Sequence, residues 1–241
     1  MIKKPTILIW AGALAVVAMA QDTAVIEWKP KVGETTKYRI AVNANMDAGM
    51  GPMDITFTSI MTERILKIED NKNVTVESTQ SDFGLYVGGQ DMSSMMSGQV
   101  IKALTVMKPN GEVVKRSSEG GNEMENPRME EMMVTLYPDK PLRVGDSWTR
   151  EVKGDTSKGT VDAEATYKYE GKEKIGDWDC YKISYTYNEK RGRAPMSAKG
   201  TIYIAVENGT MVQSDMSVQN VEFQPGLPPA NAVFKVTRIK S

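Results

Sequence analysis

The stretch PKVGETTKYRI at residues 30–40 nearly returns as PLRVGDSWTRE at residues 141–151, and this pair decides the predicted fold. In each copy a proline precedes a Val-Gly-acid turn, and a strand-like run follows the turn. Glycine at such a turn supplies a positive φ or a close approach of the backbone. The pair predicts two related lobes that each begin with one copy. Convergence of two unrelated segments on common turn chemistry is the alternative.

Most of the remaining chain alternates apolar and polar residues with a period of two. The run VDAEATYKYE at residues 161–170 places alanines and tyrosines on one face and charged residues on the other, which is typical of a half-buried antiparallel strand. The pairs Asn110–Gly111 and Asn208–Gly209 each separate two such runs, and Asn-Gly favours a two-residue hairpin. A slip in the alternation at residues 59–61 predicts a β-bulge in a long strand.

These patterns predict a mostly β fold of antiparallel curved sheets, with one or two short covering helices. The two lobes either face each other as separate sheets or join into an open half-barrel. Asn126 followed by Pro127 indicates a helix start, and the helix is predicted over residues 127–136. A loop or a second short helix is expected near residues 91–97. The predicted domains are a signal peptide at 1–20, an N-terminal β lobe at 24–118, a linker with the short helix at 119–136, and a C-terminal β lobe at 137–241.

The first twenty residues have the three parts of a secretory signal peptide. Two lysines precede an apolar stretch at residues 7–17, and small residues follow it. The residues of the expected cleavage site are Ala18, Ala20 and Gln21. The apolar stretch is short for a membrane-spanning helix, although an uncleaved anchor is the alternative. We therefore expect an exported protein, periplasmic or extracellular, with no stable transmembrane anchor after cleavage.

The composition excludes several classes of function. Cleavage would leave 28 basic and 31 acidic residues, a net charge of −3, which argues against a nucleic-acid-binding protein. The chain has no histidine, so the commonest general base and metal ligand is missing. The single cysteine, Cys180, lies in an alternating run and is predicted to be a small buried apolar residue. We expect a protein that is not an enzyme and needs no cofactor or metal.

Methionine is unevenly distributed, since 12 of the 15 methionines after the predicted cleavage site lie between Met46 and Met133. One interpretation is an adaptable apolar groove, because unbranched, polarisable side chains fit variable ligands. A second is a Cu(I) site at Met92, Met95 and Met96, since thioethers are soft ligands. A third is irregular packing of the core. The candidate groove residues are Met92, Met95, Met96, Met129, Met132 and Met133.

The segment YPDKPLRVGDSWTRE at residues 137–151 resembles a family of uncharacterised exported bacterial proteins. The residues that carry the resemblance are Tyr137, Pro138, Pro141, Val144, Gly145, Asp146, Ser147 and Trp148. It extends to residues 30–40, to the ITFTSIMTERILKI strand and to the LTVMKPNGEVVKR hairpin, and so covers most of the mature chain. The resemblance implies no catalytic residues. Its strand order is similar to that of the curved sheets in lipoprotein-carrier and lipid-carrier proteins of the bacterial envelope.

The expected function is therefore that of an exported non-enzymatic protein with a methionine-lined concavity. Its partner would be a lipid or acyl ligand, or an envelope protein. A structural or interaction module without a ligand site is one alternative, and a Cu(I)-binding envelope protein is another.

Overall fold

The structure is a computed structural model that describes residues 23–47, 51–119, 126–155, 157, 159–192, 194–223 and 228–240. The predicted cleavage residues Ala18, Ala20 and Gln21 lie outside the described residues. Within the described part of the chain, no helix combines the length and the apolar character needed to cross a membrane.

The described residues form strands, one α-helix and one 3₁₀ turn. The strands of the N-terminal half are β1 Thr35–Asp47, β2 Pro52–Ile68, β3 Val74–Val87, β4 Gln90–Asp91, β5 Ile101–Met107 and β6 Val113–Glu119. Those of the C-terminal half are β7 Ser147–Val152, β8 Ala163–Ile175, β9 Trp178–Glu189, β10 Ser197–Ala205, β11 Met211–Val221 and β12 Ala230–Ile239. The helix α1 is Pro127–Met133, and the 3₁₀ turn is Ser93–Met96.

All the strands belong to one antiparallel sheet, in the order β6-β5-β3-β2-β1-β12-β11-β10-β9-β8-β7, with β4 paired to β3. The sheet is curved and does not close. β1 pairs with β12 at its centre, where Val42 lies opposite Phe234. The predicted fold class is confirmed, and the half-barrel is the correct one of the two arrangements. β6 and β7 form the two edges of the sheet.

The two Val-Gly-acid turns share one geometry. Gly33 and Gly145 both have positive φ, at 85° and 95°. In each turn the acidic side chain accepts a hydrogen bond from the backbone N–H three residues before it, at 3.3 Å for Glu34 and 2.8 Å for Asp146. The acidic side chain thus folds back onto the N–H at the start of its own turn and closes it. The recurring sequence therefore encodes the same turn before β1 and before β7.

The predicted bulge at residues 59–61 is on the wrong strand. β2 pairs with β1 without interruption through these residues. The extra residue lies opposite them on β3, between Gly84 and Ser81, where Asp82 adopts a φ of 53°. Asp is one of the few residues other than glycine that tolerate this conformation, and the bend it makes lets β2 keep its regular alternation.

The main core lies on the inner face of the C-terminal half. Tyr167, Ile183, Tyr185 and Tyr187 are at most 2 % exposed, as their alternation predicted. Cys180 is fully buried and free, which confirms its predicted role as a small apolar residue. Burial raises the pKa of its thiol, so the thiolate form is disfavoured.

Helix α1 begins as predicted and ends three residues early. The Asn126 side chain caps it by accepting a hydrogen bond from the Met129 N–H at 3.1 Å. After Met133 the chain becomes extended. A further helical turn would pair the residue-136 N–H with the Met132 carbonyl, but that N–H donates to the Tyr167 hydroxyl and that carbonyl accepts from the Tyr185 hydroxyl. Tyr167 donates to the Val134 carbonyl at 2.8 Å, and the Trp148 indole donates to the residue-136 carbonyl at the same distance.

Candidate functional site

Helix α1 divides the inner face of the sheet into a filled half and an open half. On the C-terminal side, Met132 is 1 % exposed, and its carbonyl accepts a hydrogen bond from the Tyr185 hydroxyl at 2.5 Å. Trp148 stacks on Tyr167 with 5.2 Å between ring centroids. Both tyrosines are fully buried, and burial raises the pKa of each hydroxyl. The inner face of the C-terminal half is therefore occupied by the protein itself.

A buried ion pair fixes the start of α1 on this filled half. Arg128 donates from Nε and Nη2 to the two carboxylate oxygens of Glu189, at 2.8 and 2.5 Å. The Glu189 side chain is fully buried and also accepts from the Met196 N–H at 2.6 Å. The hydrogen bonds to Glu189 raise the pKa of the Arg128 guanidinium. Such a bidentate pair has a defined geometry, so it sets where the helix begins.

The inner face of the N-terminal half is half-buried along much of its length, although Ile65, Val74 and Val76 at its far end are buried. We call the inner-facing residues of β2, β3 and β5 the inner strip. The strand register shows which residues these are. Phe57 lies opposite Val42, which is a core residue, and opposite Leu85 on its other side, so Phe57 and Leu85 share the face of Val42. The half-buried apolar members of the inner strip are Met53, Ile55, Phe57, Met61, Phe83, Leu85 and Ile101. Among the described residues, no α-helix covers this part of the concavity as α1 covers the other side.

A groove continues the apolar end of the inner strip. Its volume is about 440 Å³, and Phe83, Met96 and Val100 form its apolar lining. Serine hydroxyls, among them Ser93, line it as well. The Phe83 ring lies 5.9 Å from the Phe57 ring, and Phe57 packs against the main core. The groove and the inner strip therefore form one continuous surface.

A polar belt crosses the inner strip farther along the same strands. Glu63 of β2 lies opposite Ser78 of β3. On β5, Ala103 lies opposite Ser78, and Thr105 lies two residues beyond Ala103 on the same face. From the edge strand β6, Arg116 reaches over Thr105, with its Nε 3.3 Å from the Thr105 hydroxyl. Arg116 also binds Glu130 of α1 at 2.8 Å. The polar belt is thus made of Glu63, Ser78, Thr105, Arg116 and Glu130.

Glu63 is the unusual member of the polar belt. Among the described residues, none forms a hydrogen bond or an ion pair with its carboxylate. Burial raises the pKa of this carboxyl to about 7, and the positive charge of Arg116 only partly offsets the burial. Glu63 in turn helps to raise the pKa values of Tyr38 and Tyr137, after the larger effect of their own burial. A half-buried carboxyl that titrates near neutral pH is typical of functional sites.

The structure places the six predicted methionines in two groups on different elements. Their environments are buried for Met96 and Met132, half-buried for Met92 and Met129, and exposed for Met95 and Met133. Met132 fills the core beneath α1, and Met129 packs against the same core. Met96 lines the groove, whereas Met95 beside it is 67 % exposed. The candidates therefore do not line a single wall. Of the six, Met96 is the one that lines the groove.

Glu63 and Arg116 are not among the site residues predicted from the sequence. A usable signal was present in ITFTSIMTERILKI, because strict alternation from Phe57 puts Ser59, Met61 and Glu63 on one face. The bulge assigned to residues 59–61 broke that alternation in the prediction and hid Glu63. No local signal indicates that Arg116 would face inward from a strand edge.

No protein family matches the chain, and no curated relative is found. Among solved structures, the chain is similar to a protein from Bacteroides fragilis described as exported and as having a YmcC-like fold. The identity is 14 %, the match covers 90 % of this chain and 100 % of that one, and the TM-score is 0.38. It is also similar to the hypothetical lipoprotein YmcC of Escherichia coli, with 13 % identity, 88 % and 89 % coverage, and a TM-score of 0.33. A third similar structure is described as a lipoprotein of Parabacteroides distasonis, with 10 % identity, 91 % and 100 % coverage, and a TM-score of 0.34. At these identities and TM-scores, the likeness assigns no function.

Proposed function

We propose that this protein is an exported, non-enzymatic binding protein that holds a small amphiphile on the inner strip of its N-terminal half. The amphiphile's apolar part lies over Phe57 and Phe83 and extends into the groove at Met96. Its polar part lies at the polar belt. Export is supported by the signal-peptide pattern of the first twenty residues.

The observation that carries this proposal is the contrast between the two halves of one inner face. Tyr167 and Ile183 of the C-terminal half are fully buried, whereas Phe57 and Phe83 of the N-terminal half keep part of their surface exposed. Exposed apolar surface is costly at about 25 cal/mol per Å². A contiguous apolar surface inside a concavity is therefore typical of a site that a ligand covers.

The inner strip and the groove differ in composition. The inner strip supplies the apolar surface, whereas serines, Asp82, Gly98 and Gln99 line the groove beside Phe83, Met96 and Val100. Ligand sites typically enclose roughly 300–1,000 Å³. The groove volume of about 440 Å³ lies within this range. From Ile55 to Glu63 the strip runs for about 26 Å, at about 3.3 Å per residue, and changes from apolar to polar along its length. This gradient favours a ligand with a tail and a head over a wholly apolar one.

Saturable binding of a fluorescent probe tests the proposal. The probe is a neutral naphthylamine dye whose emission rises in apolar surroundings, titrated into the purified chain. Val100→Glu puts a charge into the groove, and we expect it to weaken dye binding at least tenfold. Val233→Glu on β12 is the matched control, because Val100 and Val233 are 48 % and 50 % exposed. The control variant is expected to bind like the wild type.

Two results would contradict the proposal. One is the absence of saturable dye binding by the folded wild type, which would favour an interaction module with no ligand site. The other is an equal loss of affinity in both valine variants, since the dye would then bind elsewhere. Circular dichroism of each variant checks that the fold is unchanged.

A further inference from the structure

The polar belt has two carboxyl groups but only one cationic side chain. Two carboxylates, Glu63 and Glu130, face a single guanidinium, that of Arg116. Arg116 binds Glu130 at 2.8 Å and lies over the Thr105 hydroxyl at 3.3 Å. Its contact with Glu130 has the short distance of a charge-assisted hydrogen bond. The guanidinium is therefore committed to Glu130, and Glu63 has no cation of its own.

The surroundings of Glu63 offer no replacement for that cation. Its cross-strand neighbours in the sheet are Thr36 on β1 and Ser78 on β3, which are both neutral. The nearby titratable groups are the hydroxyls of Tyr38 and Tyr137, and both have raised pKa values and stay neutral at physiological pH. From α1, Glu130 approaches the polar belt through its ion pair with Arg116. Arg238 of β12 acts on Tyr38 rather than on Glu63, so among the described residues Arg116 is the one cation whose charge affects the Glu63 carboxyl.

We propose that the polar belt selects a cationic head group, so that the bound amphiphile is an amine whose ammonium pairs with the Glu63 carboxylate. This inference rests on the proposed function, because it assigns the head group of the same ligand. An ammonium is a compact donor of three hydrogen bonds and suits a carboxylate flanked by the hydroxyl of Ser78. An anionic head would face two carboxylates and would have to displace Glu130 from Arg116.

Binding of the ammonium is coupled to the proton on Glu63. The burial that holds this carboxyl protonated up to about pH 7 is compensated when a cation arrives, since an adjacent positive charge favours the ionised form. Amine binding below pH 7 therefore releases a proton, and the affinity for an amine rises between pH 6 and pH 8. The other charged and titratable groups around this site are Arg116, Glu130, Tyr38 and Tyr137, with Glu34 and Arg238 acting on Tyr38.

A matched series of ligands tests the inference. Dodecylamine, dodecanol and dodecanoate share one tail, and each is titrated calorimetrically below its aggregation concentration at pH 8. We expect the amine to bind at least tenfold more tightly than the alcohol, and the carboxylate to bind most weakly. Glu63→Gln is expected to remove the preference for the amine. Glu77→Gln, which changes a glutamate on the opposite face of the neighbouring strand, is expected to keep it.

Arg116→Gln is a second variant with an effect in the opposite direction. It removes the only cation of the polar belt and leaves both carboxylates, so the amine should bind at least threefold more tightly than to the wild type. A residue that only supports the fold would not increase the affinity when it is replaced. This variant keeps the inference testable even if Glu63→Gln disturbs the strand.

The outcomes separate this inference from the proposed function. If all three ligands bind equally to the wild type, or if the carboxylate binds most tightly, the cationic head group is wrong and the amphiphile site stands. If none of the three binds, the proposed function itself fails, and the inference fails with it. An amine preference that persists in Glu63→Gln would also overturn the assignment of Glu63.

Discussion

Glu130 and Glu131 are neighbours on one short helix, yet they bind arginines from the two opposite edges of the sheet. Glu130 pairs with Arg116 of β6 at 2.8 Å, and Glu131 pairs with Arg150 of β7 at 2.8 Å. The edges β6 and β7 are the first and last strands in the sheet order. Because adjacent helical residues point in different directions, one turn of α1 connects both ends of an open half-barrel.

We expect the two ion pairs at the edges to differ in strength. The Arg150 side chain is 12 % exposed and also binds the Glu131 carbonyl, whereas the Arg116 side chain is 35 % exposed. Arg150→Met should lower the free energy of unfolding by about 3 kcal/mol, because it leaves a partly buried carboxylate unpaired. Arg116→Met should lower it by less than about 1 kcal/mol. Urea unfolding measures both values, and equal losses would contradict this order.

The Arg128–Glu189 pair should be essential for the stability of the helix and of the loop at Met196. Arg128→Met leaves the fully buried Glu189 carboxylate without a cation, so we expect a loss of about 3–5 kcal/mol. The control is Arg191→Met, since Arg191 pairs with Asp162 while its side chain is 79 % exposed. That change should stay within about 0.5 kcal/mol. A loss below about 1 kcal/mol for Arg128→Met would show that the buried pair is unimportant.

Glu63 should make the stability of the protein depend on pH. The folded state keeps the Glu63 proton up to about pH 7, whereas the ordinary pKa of a glutamate is 4.5. The folded chain therefore binds more protons between these values, and its stability falls as the pH rises from about 4.5 through 7, by up to about 3 kcal/mol. The chain has no histidine that would titrate in the same window.

Denaturant unfolding from pH 5 to pH 8 tests this pH dependence. The wild type should lose stability across the range, and Glu63→Gln should be nearly insensitive to pH and more stable than the wild type at pH 8. Glu77→Gln should keep the slope of the wild type. A slope that survives in Glu63→Gln must come from another group and would refute the raised pKa.

Gly209 should tolerate no side chain, although Gly145 should tolerate alanine at a moderate cost. Both have positive φ, at 72° and 95°. A Cβ on Gly209 would lie 2.0 Å from the Glu27 carbonyl oxygen, which belongs to the backbone, whereas nothing lies within 4 Å of one on Gly145. Gly145→Ala is therefore expected to cost about 1 kcal/mol from the backbone conformation alone. Gly209→Ala must also displace the segment at residue 27, and similar melting temperatures for the two variants would contradict this account.

Much of the fold could be predicted from local patterns, since each strand repeats its own alternation. The buried faces of Tyr167 and Tyr185 follow from a period of two, and the cap at Asn126 follows from helix-start chemistry. The pairing of β1 with β12 could not be predicted, because it joins segments about 190 residues apart and no local signal encodes it. The early end of α1 after Met133 has a tertiary cause as well, since Tyr167 and Tyr185 bind the residue-136 N–H and the Met132 carbonyl, which a further helical turn would pair with each other.

The candidate site was harder to predict than the fold. Methionine enrichment drew attention to Met96, but composition does not distinguish a groove residue from a core residue such as Met132. Met132 is buried in the main core beneath α1, whereas Met96 lies on the 3₁₀ turn beside the groove. The raised pKa of Glu63 comes from its burial, which the charge of Arg116 only partly offsets, and both effects appear only when the sheet is assembled.

The methionines offer the most direct test of the binding site. With ¹³C-labelled methyl groups, each methionine gives an NMR signal that can be assigned from single Met→Leu variants, and dodecylamine is then titrated into the folded chain. We predict that the signals of Met61 on the inner strip and Met96 in the groove shift together and saturate with one dissociation constant. The signals of the exposed Met95 and of Met216, which is 5 % exposed in the main core, should stay in place. Shifts confined to Met95, or shifts that never saturate, would contradict the claim that the open half of the concavity binds an amphiphile.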